Sequence, residues 1–352
     1  MKGRGSPDRP DNRYAAWSRR PVPADEADSG WREDEPSPAT ELILDSSRSV
    51  IARNDSPDVP FDRSVNPYRG CEHGCIYCFA RPSHASLGYS PGLDFETKIL
   101  HKPEAPRLLR EELAKPGYAC APIGLGTNTD PWQPVERRLG IARGILEVLA
   151  ECGHPVTIVT KSALVLRDAD LLAAMAARGL VHVTVSVTTL QADLARRLEP
   201  RAAAPARRIE VIEALAGTGI PVAVSLAPVI PALNDHEMEA ILKAAADAGA
   251  RSAIWLLLRL PLEVAPLFRD WLERHAPGRA KHVLSLLRQM HGGRENDPRF
   301  GHRMRGEGPL AGLLAKRFRL ACARLGLDGE LPPLDCSGFR RPATNGQMDL
   351  FG

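Results

Sequence analysis

Three cysteines within eight residues, Cys71, Cys75 and Cys78, constrain this chain more than any other feature. They stand in Asn66-Pro-Tyr-Arg-Gly-Cys71-Glu-His-Gly-Cys75-Ile-Tyr-Cys78-Phe-Ala-Arg-Pro, spaced C-x3-C-x2-C with Tyr77 directly before the last. In a protein that is not secreted, such a cluster reads as a metal centre rather than as disulfides. Three thiolates on a tight loop can hold three irons of a [4Fe-4S] cluster and leave the fourth iron without a protein ligand. An open coordination position is how a metal centre binds and activates a substrate instead of bracing the fold. Gly70 and Gly74 let the loop wrap closely around a bulky cluster. The competing reading is zinc, with His73 or His84 as fourth ligand. Structural zinc sites usually use two separated ligand pairs, however, and no second pair follows at suitable spacing.

Composition removes other classes. A chain of 352 residues allows two ordinary domains, or one barrel-sized domain with attachments. Apolar residues make up 43% and charged residues 25%, ordinary globular values, and no uncharged run of about 18 apolar residues occurs, so no membrane span is expected. The first twenty residues are polar and carry no apolar core of a secretory signal, which leads us to expect a cytoplasmic protein. The net charge of +3 is too small to demand a nucleic-acid partner. Its distribution is uneven, because residues 279–341 carry 13 Lys and Arg against 6 Asp and Glu. That segment includes His291-Gly-Gly-Arg and Gly301-His-Arg-Met-Arg-Gly-Glu-Gly, loops able to track a phosphate backbone or simply to connect into a helix over 309–325.

From residue 122 a regular alternation begins. Short β-branched runs at 122–126, 156–160, 181–187, 222–226 and 252–258 alternate with helical patterns. Val135, Leu139, Ala142, Ile145, Leu146 and Leu149 share one helical face, as do Ile209, Ile212 and Leu215, and again Met238, Ile241, Leu242 and Ala245. This spacing predicts βαβ units and a parallel sheet, either a partial (β/α) barrel or an open doubly wound sheet. The run Val-His-Val-Thr-Val-Ser-Val-Thr at 181–188 favours the barrel, the other reading of it being an edge strand with one solvated face. It puts His182, Thr184, Ser186 and Thr188 on one face and valines on the other, whereas a strand buried on both faces should be apolar throughout. A polar inner face implies an incomplete barrel with a ligand-filled lumen, its active loops at the carboxyl ends of the strands.

With these residues in view, the chain resembles the radical S-adenosylmethionine (SAM) superfamily, whose core is a partial (β/α)6 barrel. Asn66-Pro-Tyr-Arg-Gly-Cys, Cys78-Phe-Ala-Arg-Pro-Ser-His and Gly126-Thr-Asn-Thr-Asp-Pro-Trp-Gln-Pro-Val-Glu136 are similar to the branch related to spore photoproduct lyase. The resemblance implies an α/β fold, a partial (β/α)6 barrel with a C-terminal helical extension. Residues 1–58 would be a disordered or loosely attached arm, 59–270 the core, 271–335 a basic, mostly helical cap and 336–352 a flexible tail. It further implies that Cys71, Cys75 and Cys78 ligate the cluster and that SAM chelates the open iron. An electron from a donor such as flavodoxin or ferredoxin would cleave SAM to a 5′-deoxyadenosyl radical that abstracts hydrogen from substrate. Members hold SAM at the ends of strands two, four and five, which here carry Thr127, Asn128 and Asp130, then Ser186 and Thr188, then Ala227-Pro228-Val-Ile230. The last run is flat and apolar enough to lie against adenine, and Tyr77 would reach the adenine edge or serve as a packing aromatic. Lys161, after strand three, would neutralise a carboxylate or phosphate or be a solvated lysine at a helix start, and one of Arg201, Arg207 and Arg208 would pair with the SAM carboxylate or form a solvated basic face.

One departure limits the resemblance. Spore photoproduct lyases place a hydrogen-donating cysteine in the loop after strand two, and here Gly126-Thr-Asn-Thr-Asp130 has none. Cys120 precedes that strand and belongs about 20 Å away at the other end of the barrel, at roughly 3.3 Å per residue. Cys120, Cys152 and Cys322 are expected as small buried hydrophobes.

The chain ends Gln347-Met-Asp-Leu-Phe-Gly, which resembles the peptide by which bacterial repair proteins dock on the sliding clamp. Gln347, Leu350 and Phe351 would be its anchors. The function implied is a radical SAM enzyme, lyase-like, acting on nucleic acid in repair or modification. The alternative is a non-catalytic iron-sulfur module on DNA, recruited through that tail.

Overall fold

The computed structural model of the chain describes residues 3–14 and 38–343. Ten strands form in chain order: β1 (Glu41–Leu44), β2 (Ile51–Arg53), β3 (Arg63–Val65), β4 (Tyr68–Arg69), β5 (Lys98–His101), β6 (Ile123–Leu125), β7 (Val156–Thr160), β8 (Val181–Ser186), β9 (Val222–Val229) and β10 (Ser252–Leu257). Seven of them make one sheet in the order β10-β9-β8-β7-β6-β3-β2. From β3 to β10 the six neighbours run parallel and follow chain order, as successive βα crossovers of one hand require. These six are the expected partial barrel. β2 is an antiparallel strand on its edge, and β1, β5 and β4 form a separate small sheet.

The amphipathic patterns lie where periodicity puts them. Met238, Ile241, Leu242 and Ala245 are the buried residues of helix Met238–Asp247. The stripe from Val135 to Leu149 is instead broken, because Gly140 at φ +65° separates the turn Glu136–Leu139 from helix Ile141–Glu151. The expected end of the core at 270 falls inside helix Val264–His275, so no boundary exists there. Helices Pro277–Met290 and Gly308–Leu325 follow, and among the described residues no helix is long and apolar enough to cross a membrane.

The expectation for residues 1–58 is corrected where they are described, at 3–14 and 38–58. Residues 38–58 supply β1 and β2, and residues 3–14 pack on the cysteine loop: Arg4 and Ser6 are buried, and the N–H groups of Gly5 and Ser6 donate to the Glu96 carboxylate at 2.9 and 2.8 Å. Composition alone suggested that this arm lacks apolar area to fold by itself. It is held through backbone hydrogen bonds to a buried carboxylate, a bond type with no compositional signature.

The sheet does not close. Between β10 and the β2–β3 turn the seam is crossed by residues 301–304. The Met304 carbonyl accepts from Leu257 N–H at 2.9 Å, while Gly301 N–H and Arg303 Nε donate to Asp58 at 2.7 and 2.5 Å. At the opposite end, the amino ends of the strands are covered by the C-terminal segment. Asp335 N–H bonds to the Gly179 carbonyl at 2.9 Å and Arg340 N–H to the Cys152 carbonyl at 2.8 Å.

Candidate active site at the carboxyl ends of the strands

The cysteine loop leaves β4 and is folded by tight turns, with Gly74 N–H on the Cys71 carbonyl and Cys78 N–H on the Cys75 carbonyl at 3.3 and 3.2 Å. Burial pushes all three thiols up, Cys75 to about 12, and each is raised further by neighbouring acidic groups or sulfurs except Cys78, which Arg81 pulls back. Such thiols give up their protons only to a strongly positive partner, and an iron-sulfur cluster is one. No three His, Cys, Asp or Glu side chains among the described residues converge as a single ion requires. A cubane accepts its cysteines on three separate iron corners, so this donor set fits a cluster better than zinc. The zinc alternative also loses its histidines. His84 Nε2 donates to the Lys98 carbonyl at 2.9 Å, and His73 Nδ1 lies 3.5 Å from Asp130.

The segment from Gly126 to Glu136 is the clamp of this loop. Asp130 accepts from Trp132 N–H, Lys161 N–H and the Thr160 hydroxyl at 2.8–2.9 Å, and its own N–H donates to the Cys71 sulfur. Gln133, fully buried, accepts from Glu72 N–H at 2.8 Å and donates to the Gly70 carbonyl at 3.2 Å. Trp132 Nε1 donates to Asp168 at 2.8 Å, and Glu136 accepts from the Tyr68 hydroxyl and from Arg167. Of the three residues expected here as SAM contacts, Asp130 is therefore consumed as an anchor. Thr127 and Asn128 are half-buried with no side-chain hydrogen bond among the described residues, which leaves them free for a ligand.

Along β8 and the two residues after it, the valines 183, 185 and 187 join the hydrophobic core, while Thr184, Ser186 and Thr188 occupy the other face. That face looks at the cysteine loop, because Thr188 Oγ1 lies 3.3 Å from the Tyr77 hydroxyl. Both hydroxyls are tied up. Tyr77 and Thr188 donate to Glu199, which also takes a hydrogen bond from Arg208. Burial would raise the Glu199 carboxyl, but the charges of Arg208 and Lys161 and the bonds from Arg208 and Thr188 outweigh it and hold it at about 2. The Tyr77 hydroxyl is thus held by Glu199, and Arg208, which also donates to the Ala203 and Ser186 carbonyls, is buried against that carboxylate. Arg201 pairs with Glu72 at 3.2 Å, and Arg207 with exposed Glu210. Ser186 remains unbonded through its side chain and sits beside Ser225 in register. His182, at the amino end of the same strand, meets the Pro332 backbone instead of the site.

The run after β9 differs from expectation. Ile230 is fully buried and Pro228 is also buried, and only Ala227 in this run is half-open. Asn234, which the sequence did not flag, fixes this corner. It accepts from Ile230 N–H at 2.6 Å and donates to the Thr188 and Pro228 carbonyls at 2.7 and 3.0 Å. Lys161 is better placed than any arginine. Its ammonium lies 6.0 Å from the Tyr77 ring centroid and makes no ion pair among the described residues. The four remaining cysteines lie away from this end. Cys152 and Cys322 are buried as expected, whereas Cys120 is only half-buried and lies against Cys336 under the barrel. Gln347, Leu350 and Phe351 lie outside the described residues.

Comparison with known proteins agrees with this geometry. An uncharacterized protein of Mycobacterium tuberculosis is 37% identical over 233 residues, 66% of this chain and 68% of that protein. An uncharacterized protein of Methanocaldococcus jannaschii is 27% identical over 173 residues, 49% of this chain and 62% of its own length. Spore photoproduct lyase complexed with dinucleoside spore photoproduct superposes with a TM-score of 0.58 at 14% identity, covering 81% of this chain and 79% of that one. A mutant of that lyase with bound AdoMet and dinucleoside spore photoproduct gives 0.58 at 12% identity, with 83% and 85% covered. At these identities the likeness establishes the fold. The family model described as Radical SAM superfamily matches residues 65–245, about half of the sequence, and the chain therefore belongs to the radical SAM superfamily.

Proposed function

We propose that this radical SAM enzyme acts on nucleic acid, in repair or modification. Cys71, Cys75 and Cys78 would hold the [4Fe-4S] cluster, and the cluster with SAM supplies, once reduced, a 5′-deoxyadenosyl radical that abstracts hydrogen from substrate. The chain's own residues would do the rest. Lys161, a cation beside the cysteine loop that makes no ion pair among the described residues and acts on Glu199 through its charge, would take the SAM carboxylate, and Thr127, Asn128 and Ser186 would offer hydrogen bonds to its polar groups. Pro228 and Ile230 would stiffen the apolar wall from behind and leave Ala227 as the surface against adenine. Asp130 and Gln133 would keep the loop rigid, and the Tyr77–Thr188–Glu199–Arg208 network would exclude water beneath it.

The observation that carries the reading is the meeting, at one end of a polar-lined barrel, of three thiols, Cys71 buried and Cys75 and Cys78 partly so, with side chains left free to bind a ligand. Nucleic acid as the substrate is supported by the shared fold with a lyase whose structure holds a dinucleoside, and by the cationic excess in residues 279–341. The cysteine-free loop 126–130 argues for a reaction other than that lyase's own. A reductant of the flavodoxin or ferredoxin class would supply the electron, and the tail peptide with Gln347, Leu350 and Phe351 would recruit the protein to a sliding clamp. Nothing at the cluster end favours the non-catalytic alternative, which needs no such lumen.

The test is to reduce the reconstituted protein with SAM and deuterated oligonucleotides. Label in 5′-deoxyadenosine identifies the polymer and the attacked position. 5′-Deoxyadenosine formed only without label, across single- and double-stranded DNA and RNA, refutes a nucleic-acid substrate. Separately, Lys161→Met is expected to weaken SAM binding by about tenfold with unchanged iron content.

A further inference from the structure

The mouth of the site carries an arrangement that the mechanism above does not use. Phe79 directly follows Cys78, yet its ring is 46% exposed. The Arg259 guanidinium covers one face of it, with Cζ 5.3 Å from the ring centroid. Arg259 leaves the carboxyl end of β10 and is half-buried. Its Nε is buried without a hydrogen-bond partner, and no carboxylate forms an ion pair with it among the described residues. Burial and the nearby charge of Arg303 pull its pKa below an arginine's ordinary value, and the charge of Asp58 only partly offsets them.

Arg303 is its contrast. That side chain is satisfied by Asp58 and the Ser56 hydroxyl, both at 2.5 Å, and lies over the Phe300 ring with Cζ 4.5 Å from the centroid. Phe300 is 49% exposed. Asp58 makes its hydrogen bonds to Arg303 and Gly301 N–H, and it acts on Arg259 only through its charge, without an ion pair. The line Phe79, Arg259, Arg303, Phe300 thus crosses the open seam of the barrel next to the last cysteine. It presents two half-exposed rings and one cation that makes no ion pair among the described residues.

Resting on the nucleic-acid reading above, we propose that this line is a subsite for two consecutive unstacked nucleotides. The bases stack on Phe79 and Phe300, and the intervening phosphate sits on Arg259. Aromatic rings accept any base because every base has a π-face, and a planar guanidinium suits two phosphate oxygens. A carboxylate-rich peptide would satisfy Arg259 but leave both rings unused, which is why the flat, phosphorylated ligand is favoured.

The test is fluorescence anisotropy with three labelled probes on the reconstituted protein: a thymidine hexamer, an abasic hexamer with the same phosphates, and hexaglutamate. The thymidine hexamer is expected to bind at least about tenfold tighter than the abasic one. Arg259→Gln should weaken the thymidine hexamer about tenfold and reduce the slope of log affinity against log salt by about 0.7, the share of one single-strand phosphate. Phe79→Leu and Phe300→Leu should weaken the thymidine hexamer and leave the abasic one unchanged. Iron content and SAM affinity report folding, and Arg259→Lys, which keeps the charge, serves if the glutamine variant fails to fold: it should retain the salt slope and lose affinity. If the hexamer binds and none of these variants changes it, the subsite is wrong while the nucleic-acid reading stands. If hexaglutamate binds as tightly through Arg259, the ligand class is wrong. If no hexamer binds and no deuterium is transferred from any oligonucleotide, both readings fall.

Discussion

The backbone of Gly5 lies so close to that of Gly74 that a Cβ on Gly5 would come within 1.7 Å of the Gly74 carbonyl oxygen. Gly74 precedes Cys75, and the Glu96 carboxylate that receives Gly5 N–H also takes Arg81 at 2.6 Å. The amino-terminal segment is therefore part of the wall behind the cysteine loop. Gly5→Val cannot be accommodated without moving one of the two, and it is expected to lower the iron bound per protein after reconstitution. Iron content equal to that of the parent would show that the segment lifts away at no cost.

Removing the Glu199 charge should be severe, because Arg208 is then left buried without its partner. Breaking a buried pair in this way costs about 3–5 kcal/mol, so Glu199→Gln is expected to lower the urea midpoint by a corresponding amount. The carboxyl sits at about 2 in the folded protein, below its unfolded value, so its contribution is complete above the ordinary carboxylate range and fades as pH falls toward 2. An acid-unfolding curve measured on parent and variant should show the difference shrinking in that window.

Gln133→Leu would leave Glu72 N–H and the Gly70 carbonyl buried without partners. Roughly 1–3 kcal/mol is expected for each group that water cannot reach. Hydrogen exchange should rise first at residues 70–75. Uniform acceleration across the barrel would contradict a local clamp.

Two histidines set a pH dependence. Burial holds both His84 and His154 at about 4, and His154 is locked by Tyr118, whose hydroxyl is 2.7 Å from its Nε2. In the unfolded chain each imidazole takes its proton near pH 6.5, so between about 6.5 and 4 the unfolded state binds more protons and stability falls as pH is lowered. Denaturation at pH 7.5 and pH 5 should show a loss that the double variant His84→Gln, His154→Gln reduces, the remainder coming from other buried histidines whose pKa values burial also lowers, such as His291.

Under the barrel, burial and the adjacent Cys336 sulfur push the Cys120 thiol up to about 12. Cys120 should react with iodoacetamide at pH 8 far more slowly than a free thiol, and Cys336→Ser should quicken it. Mass spectrometry of alkylated peptides separates the two.

Much of this protein is legible in its sequence. The cysteine spacing is local chemistry, and five of the six parallel strands follow from an alternation that repeats every 25–40 residues between 122 and 258. The polar face of β8 is visible because side chains alternate with period two. β2, β3 and β4 have only two or three residues each, too short to show any period, and only pairing with longer neighbours makes them strands. Which polar groups remain free for a ligand could be decided only by the tertiary structure. Gly5 meets Glu96 across 91 residues, Tyr77 meets Glu199 across 122, and Asn234 meets Thr188 across 46. Each such bond consumes a donor or acceptor that looks available in the sequence, so Tyr77, Thr188, Asp130 and Arg208 became walls, while Lys161, Thr127, Asn128 and Arg259 kept their binding capacity. Residue type and spacing determine which chemistry a chain can carry, but a hydrogen-bonding group is available to a ligand only if the fold has not already satisfied it.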